Sequence, residues 1–267
     1  MQKKNNPNEK QGLTVLTPEN DFRFECHQGL NCFTRCCRNI TIFLTPYDIL
    51  RMKNALNISS GDFLADYTMS MIGDAGLPVV LLKMKDDDEK TCPFVTSQGC
   101  TIYPDRPWSC RIYPLQPEST KITEKVGKQY YSVMDVPFCL GLGADRVLTL
   151  SDWIKEQGVS IYQEMEEPFK KITTNELISQ NKITNKKIQE MFYMACFDLD
   201  RFRRFVMEST FLERFEVEPG LMEKIKEDDV ELYYFAIRWL EYGMLGQHVL
   251  KVKLDVMEAK KQELEIK

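Results

Sequence analysis

Eight of the nine cysteines in this 267-residue chain fall between Cys26 and Cys139, and this clustering limits what the chain can fold into more than any other feature. A first block holds Cys26, Cys32, Cys36 and Cys37, a second holds Cys92, Cys100 and Cys110, and Cys139 trails; the remaining half contains only Cys196. Thiols packed this densely are disulfides, metal ligands or redox sites, and each choice fixes a compartment and a chemistry. The first twelve residues are polar, with no apolar stretch after the lysines, so they do not read as a secretory signal. No run of about 18 apolar residues occurs, so no membrane span is expected. The chain therefore reads as cytoplasmic, where thiols stay reduced and structural disulfides are rare. That favours metal ligation. A net charge of −5 lacks the basic excess of a dedicated nucleic-acid binder, so no nucleic-acid partner is expected.

The pattern along the chain predicts a mainly α fold with minor β. Residues 1–20 read as a disordered tail, 21–145 as an irregular, metal-stapled cysteine-cluster domain, and 146–267 as a helical domain. Thr45-Pro46-Tyr47-Asp48 is a helix start, with a threonine cap, proline in the first turn and an acid at the third position; its helix should reach about Leu56. Ser59 with Asp62 repeats the pattern and predicts a helix over 63–71. Residues 77–82 and 130–136 are short, partly β-branched runs that predict strands. Further on, Ser151 is expected to cap a helix reaching Gly158, and Thr173 with Glu176 forms another capping box. Ile188, Met191, Phe192, Ala195, Leu199, Phe202, Val206 and Leu212 recur at helical spacing and predict one long amphipathic helix. Val230, Tyr233, Tyr234, Ile237, Leu240 and Met244 predict a second, ending near Gly243–Gly246. From Val249 the pattern alternates like a strand before turning into good helix formers over 258–265; helix is the preferred reading.

Within the cysteine blocks, a local helical turn would bring Cys32 and Cys36 to one face. Cys37, adjacent to Cys36, must point elsewhere. At most one of that pair is then an easy partner for Cys32 at a single ion, whereas a multinuclear cluster could use both. Arg106 and Arg111 bracket Cys110. They read equally as cations that offset the negative charge of a thiolate-bound metal or cofactor and as ordinary ion-pairing residues. Tyr103, Pro104, Pro107 and Pro114 would stiffen the loop that holds the ligands. Neither a C-x-x-C pair nor the common two-cluster ferredoxin run is present, so spacing supports metal binding and leaves the metal's identity open.

Phe24-Glu25-Cys26, Cys32, Cys36-Cys37, Cys92-Pro93-Phe94 and above all the stretch from Gly99-Cys100-Thr101-Ile102-Tyr103-Pro104 through Trp108-Ser109-Cys110-Arg111-Ile112-Tyr113-Pro114 resemble the YkgJ-type cysteine-cluster family. Its members are described as zinc- or iron-chelating and often as iron-sulfur proteins, and flagellin lysine N-methylase is a relative. The resemblance covers about residues 22–140. It implies a bound iron-sulfur cluster, of the 4Fe-4S kind, with zinc as the competing metal and with Cys26, Cys32, Cys36, Cys37, Cys92, Cys100, Cys110 and Cys139 as the ligand pool. One departure stands out. The family's first block has two residues between successive cysteines, whereas here five separate Cys26 from Cys32 and three separate Cys32 from Cys36.

The remaining candidates are plainer. His27 is a less expected ligand than its neighbouring thiols, and His248 reads as a surface or capping residue. Cys196 lies on an apolar helical face and reads as a small buried hydrophobe. Gly141-x-Gly143 reads as a turn after Cys139, not as a nucleotide-binding loop. Two functional classes fit the whole. One is an iron-sulfur protein used in redox chemistry or protein modification, lysine N-methylation included, acting on a protein substrate. The other is a zinc-stabilised module that binds a protein partner without catalysis.

Overall fold

The computed structural model describes residues 15–118 and 130–254 and is mainly helical with minor strand. Where the sequence reads as consecutive segments, the compact units interleave. The first ends at Ile40 and resumes over Met84–Tyr162; the second holds Thr41–Lys83 and the described residues from Gln163 on. No helix among the described residues is long and apolar enough to cross a membrane.

The first unit is held by short antiparallel pairings. Val15–Leu16, Tyr130–Val133 and Leu115–Glu118 form a three-stranded sheet with Tyr130–Val133 in the centre, and Asp21–Arg23 pairs with Val147–Thr149. The expected tail thus gives way to strand at Val15, and its first fourteen residues lie outside the described ones. Alternation along these strands turns Leu16, Phe22, Leu115, Tyr131 and Leu148 into one core with Phe24 and Trp153. Trp153 takes the edges of Phe22 and Phe24 at centroid distances of 6.1 and 5.2 Å, geometry worth about 1 kcal/mol per pair beyond burial. Its indole N–H donates to the Ile112 carbonyl. The helix Leu150–Glu156 is capped by Thr149, whose hydroxyl accepts from Asp152 N. The start expected at Ser151 therefore moves back: Thr149 with Asp152 three residues on is the better cap.

In the second unit the Thr45 capping box forms in full, with Thr45 Oγ1 accepting from Asp48 N and Asp48 accepting from Thr45 N, and the helix runs Pro46–Leu56. Ser59 caps Ser60–Tyr67. The helix expected over 63–71 stops there because Thr68–Ile72 pairs with Pro78–Leu82, which pairs on its other side with Phe43–Leu44. The long helix expected from Ile188 to Leu212 is three, Lys186–Phe197, Leu199–Glu208 and the short Phe211–Arg214 that holds Leu212. Asp198 breaks it: its side chain caps the second helix through Arg201 N and accepts from Ser60 Oγ, so carboxylate and backbone are both committed to a non-helical junction. Asn175, rather than Thr173, caps Glu176–Gln180. Asp229–Leu245 ends at Gly246, whose φ of 67° is the left-handed stop that glycine supplies. Lys251–Val252 pairs with Phe215–Glu216; the helix expected over 258–265 lies outside the described residues. Phe192, Phe202 and Cys196 are fully buried, so Cys196 is the core hydrophobe it was read to be.

A polar network crosses this second unit beneath its surface. Lys53 reaches Asp229 at 2.8 Å and Asp200 at 3.7 Å, and Arg203 reaches the same two carboxylates at 2.5 and 2.9 Å. Burial pulls the Asp229 carboxyl upward, but the hydrogen bonds from Lys53 and Arg203 outweigh it and hold the group below the usual carboxylate range. Its contribution is present above the unfolded carboxylate pKa and is lost as pH falls through the folded one. Removing one partner of such a pair strands a buried charge. Lys53→Met is therefore expected to destabilise the second unit by about 3 kcal/mol in urea unfolding at pH 7. The difference from wild type should shrink as acid protonates Asp229.

Candidate metal centre

All eight clustered cysteines lie in the first unit, brought together by backbone pairing. Cys92 N donates to Cys37 O, Asn39 N donates to Lys90 O, and Arg38 bridges Thr91, so the end of the first block is laced to the start of the second. A hairpin then returns the chain: Val95–Thr96 pairs with Gly99–Cys100, with Val95 opposite Cys100. Gly99 makes this reversal at a φ of 114°, a value an L side chain strains to adopt. Cys110 follows on the short helix Trp108–Ile112, whose entry is set by Pro107. Cys139 is recruited separately, by Glu25 N donating to Gly141 O and by Leu140 N donating to Cys32 Sγ at 3.3 Å. The glycine matters here, because a Cβ on residue 141 would sit 2.3 Å from the Glu25 carbonyl oxygen. Cys32 and Cys36 do not share an α-helical turn: Arg35–Cys37 is one turn of 3₁₀ helix.

The thiols sense one another electrostatically. Partial burial, then Cys36, Cys32 and Cys139, push Cys26 up to about 11, although it is the exposed member of the set. Cys36 is lowered to about 7, chiefly by the hydrogen bond that Cys37 donates to it, with burial opposing. Cys37 is correspondingly pushed well up by that bond, by burial, and by the charges of Cys36, Cys110 and Cys92. Burial raises Cys92 and Cys100, against N–H donors from Phe94 and Val95 to the first and from Ile102 to the second. Such N–H groups favour the thiolate, the form that ligates metal.

Phe24, Cys26, Cys32, Cys36, Tyr113, Phe138 and Cys139 line a cavity of about 10 Å³, room for one water-sized body. Burial, followed by the neighbouring Cys139 thiol, drives the Tyr113 hydroxyl well above its ordinary range, and among the described residues that buried hydroxyl has no hydrogen-bond partner. From sequence, Tyr113 enters only as part of the stretch that carries the family resemblance, with no role of its own. The two arginines sit differently. Arg106 is buried, lies over the Tyr103 ring at 3.8 Å and acts electrostatically on Cys110 and Cys100. Arg111 is committed to the carbonyls of Arg106, Gln157 and Pro104 and to Tyr162. His27 holds Gly29 N through its own Nδ1.

Among the described residues, no three Cys, His, Asp or Glu side chains are disposed to hold a metal ion as they stand. The donor set nevertheless fits such a group in kind, with soft sulfur ligands, backbone donors aimed at the sulfurs and a buried arginine beside them. Closure of the sulfurs around an ion would accompany binding, as it does where metal uptake and folding are coupled.

A thiol-lined centre assembled from distant segments defines a metal-chelating class of protein. Residues 25–135 match the model of the CxxCxxCC family, described as a "Putative zinc- or iron-chelating domain", the family that the cysteine blocks resemble. Cys139 lies beyond the matched residues, and the fold returns it to them. Comparison with curated proteins and with solved structures found no match.

The titration order is testable in metal-free protein. With Cys36 lowered and Cys26 raised, Cys36 is expected to hold the larger thiolate fraction at pH 8, an advantage only partly offset by the lower intrinsic nucleophilicity of a low-pKa thiolate. Iodoacetamide should modify Cys36 on the order of tenfold faster than Cys26, read by peptide mass spectrometry. Faster labelling of the more exposed Cys26 would contradict the arrangement.

Proposed function

We propose that this protein is an iron-sulfur protein whose first unit holds a cysteine-ligated cluster, of the 4Fe-4S kind, used in redox chemistry or protein modification. The observation that carries this reading is the gathering of Cys26, Cys32, Cys36, Cys37, Cys92, Cys100, Cys110 and Cys139 from three separate stretches of chain, with backbone N–H groups directed at Cys32, Cys92 and Cys100. Fe–S clusters are held by cysteine thiolates, and hydrogen bonds to the sulfurs set their potentials. When bound, the cluster would supply one-electron chemistry. The residues' own part is to hold it: Leu140 N and Ile102 N stabilise ligand charge, Tyr113 lines the cavity with Cys139, and Arg106 offsets the negative charge beside Cys110 and Cys100. Lysine N-methylation is the protein modification suggested by the family's relative, flagellin lysine N-methylase.

A second reading, a zinc-stabilised interaction module, has its own support. In the second unit, Phe43, Met69 and Met71 are more than half exposed on one face of the three-stranded sheet, and exposed apolar patches of this sort mark interaction sites.

Anaerobic purification with iron, sulfide and zinc analysis separates the two. The iron reading predicts a brown protein with iron and acid-labile sulfide in equal amounts and a visible absorption that bleaches on reduction. Colourless protein with stoichiometric zinc, from iron-replete cells, would overturn it. Removing the metal should abolish near-ultraviolet dichroism from the first unit while the helical far-ultraviolet signal of the second persists, because thiolate sites contribute on the order of 10 kcal/mol to folding.

A further inference from the structure

We infer that the first unit holds two separate four-thiolate sites, divided between the adjacent residues Cys36 and Cys37. The inference rests on the metal-binding reading above but not on which metal is bound. One site takes Cys26, Cys32, Cys36 and Cys139; the other takes Cys37, Cys92, Cys100 and Cys110.

Two independent observations draw the same line. The first is backbone pairing. The strand leading to Cys26 is tied to the Cys139 loop through Glu25 and Gly141, and that loop is tied to Cys32 through Leu140. Cys37 is tied to Cys92, and Cys100 returns beside Cys92 through Thr101 N donating to Phe94 O. The second is the lining of the cavity: Cys26, Cys32, Cys36 and Cys139 border it together, whereas Cys37, Cys92, Cys100 and Cys110 are not among its lining residues.

Ligand arithmetic agrees. A structural zinc ion takes four ligands and an all-cysteine iron-sulfur cluster also takes four, so eight thiols are twice what one site needs. Arg35–Cys37 is a 3₁₀ turn, in which successive side chains diverge by about 120°. Adjacent cysteines can therefore serve neighbouring sites where they could not easily serve one ion together. The sites are also unlike in access. The first lines the cavity and includes exposed Cys26, whereas the second includes buried Cys92 within its hairpin. The Cys26 site is the exchangeable one, and the Cys92 site is the staple.

Elemental analysis of the full-length protein, purified anaerobically, tests this with two double variants, Cys26→Ser/Cys139→Ser and Cys92→Ser/Cys110→Ser. The wild type should carry two equivalents, either two zinc ions or two four-iron clusters, and each variant should keep half. In chelator challenge the wild type should lose metal in two phases, the faster of them absent from Cys26→Ser/Cys139→Ser. A wild type that saturates at one zinc or one four-iron cluster overturns the inference while leaving metal binding intact. Two zinc ions would sustain it while overturning the iron reading, and a wild type with no metal above trace would overturn both. Should a variant fail to accumulate, the wild-type count decides alone. Loss of the Cys92 metal first would overturn the assignment of the exchangeable site.

Discussion

The first unit is organised by thiols that the fold gathers into partly buried positions. Burial is the largest influence raising Cys26, Cys92 and Cys100 above the ordinary thiol range, with neighbouring thiols adding to it at Cys26 and Cys92, while at Cys37 the hydrogen bond to Cys36 is the largest. That same bond lowers Cys36 to about 7. Without a cation the cluster pays for its own proximity by keeping protons. A bound metal inverts this logic, because a coordinating thiol is deprotonated outright and the charges that opposed one another become ligands. On the proposed reading, that inversion would let so loop-rich an arrangement, short of long strands and helices, form a stable unit once metal is bound.

The backbone prepares the inversion. The Cys37–Cys92 pairing, the hairpin turned by Gly99 and the close approach of Gly141 to Glu25 bring the thiol-bearing segments side by side, leaving closure of the sulfurs to the ion. Phe22, Phe24 and Trp153 pack directly behind these segments, so core and cluster share the strand that leads into Cys26. The second unit depends on nothing of the kind. Its aromatic core and the Lys53–Asp229–Arg203–Asp200 network are those of an ordinary helical domain.

How far the sequence disclosed this depends on whether the deciding contact was local. The Thr45 box, the Ser59 cap, burial of Cys196 and the strand near Tyr130 were legible because each is settled within a few residues. The helix break at Asp198 was not. Ala195, Leu199 and Phe202 keep helical phase across it, and Ser60, which helps fix the junction, is 138 residues away. Grouping of Thr41–Lys83 with the C-terminal helices rests on contacts of the same kind, such as Ser60 N donating to Asp200. At the candidate site the cysteine blocks were plain in the sequence, while the neighbours of each thiol were not. The Leu140 N–H, the Tyr113 hydroxyl and the division at Cys36–Cys37 emerge only when distant loops are laid side by side.

On the proposed reading the clustered thiols, and nothing else, hold the metal. X-ray absorption at the edge of the metal found in the anaerobically purified protein tests it directly. The expected first shell is all sulfur, at about 2.3 Å for zinc, with a further metal–metal shell if iron is present as a cluster. A first shell dominated by oxygen or nitrogen would contradict the claim.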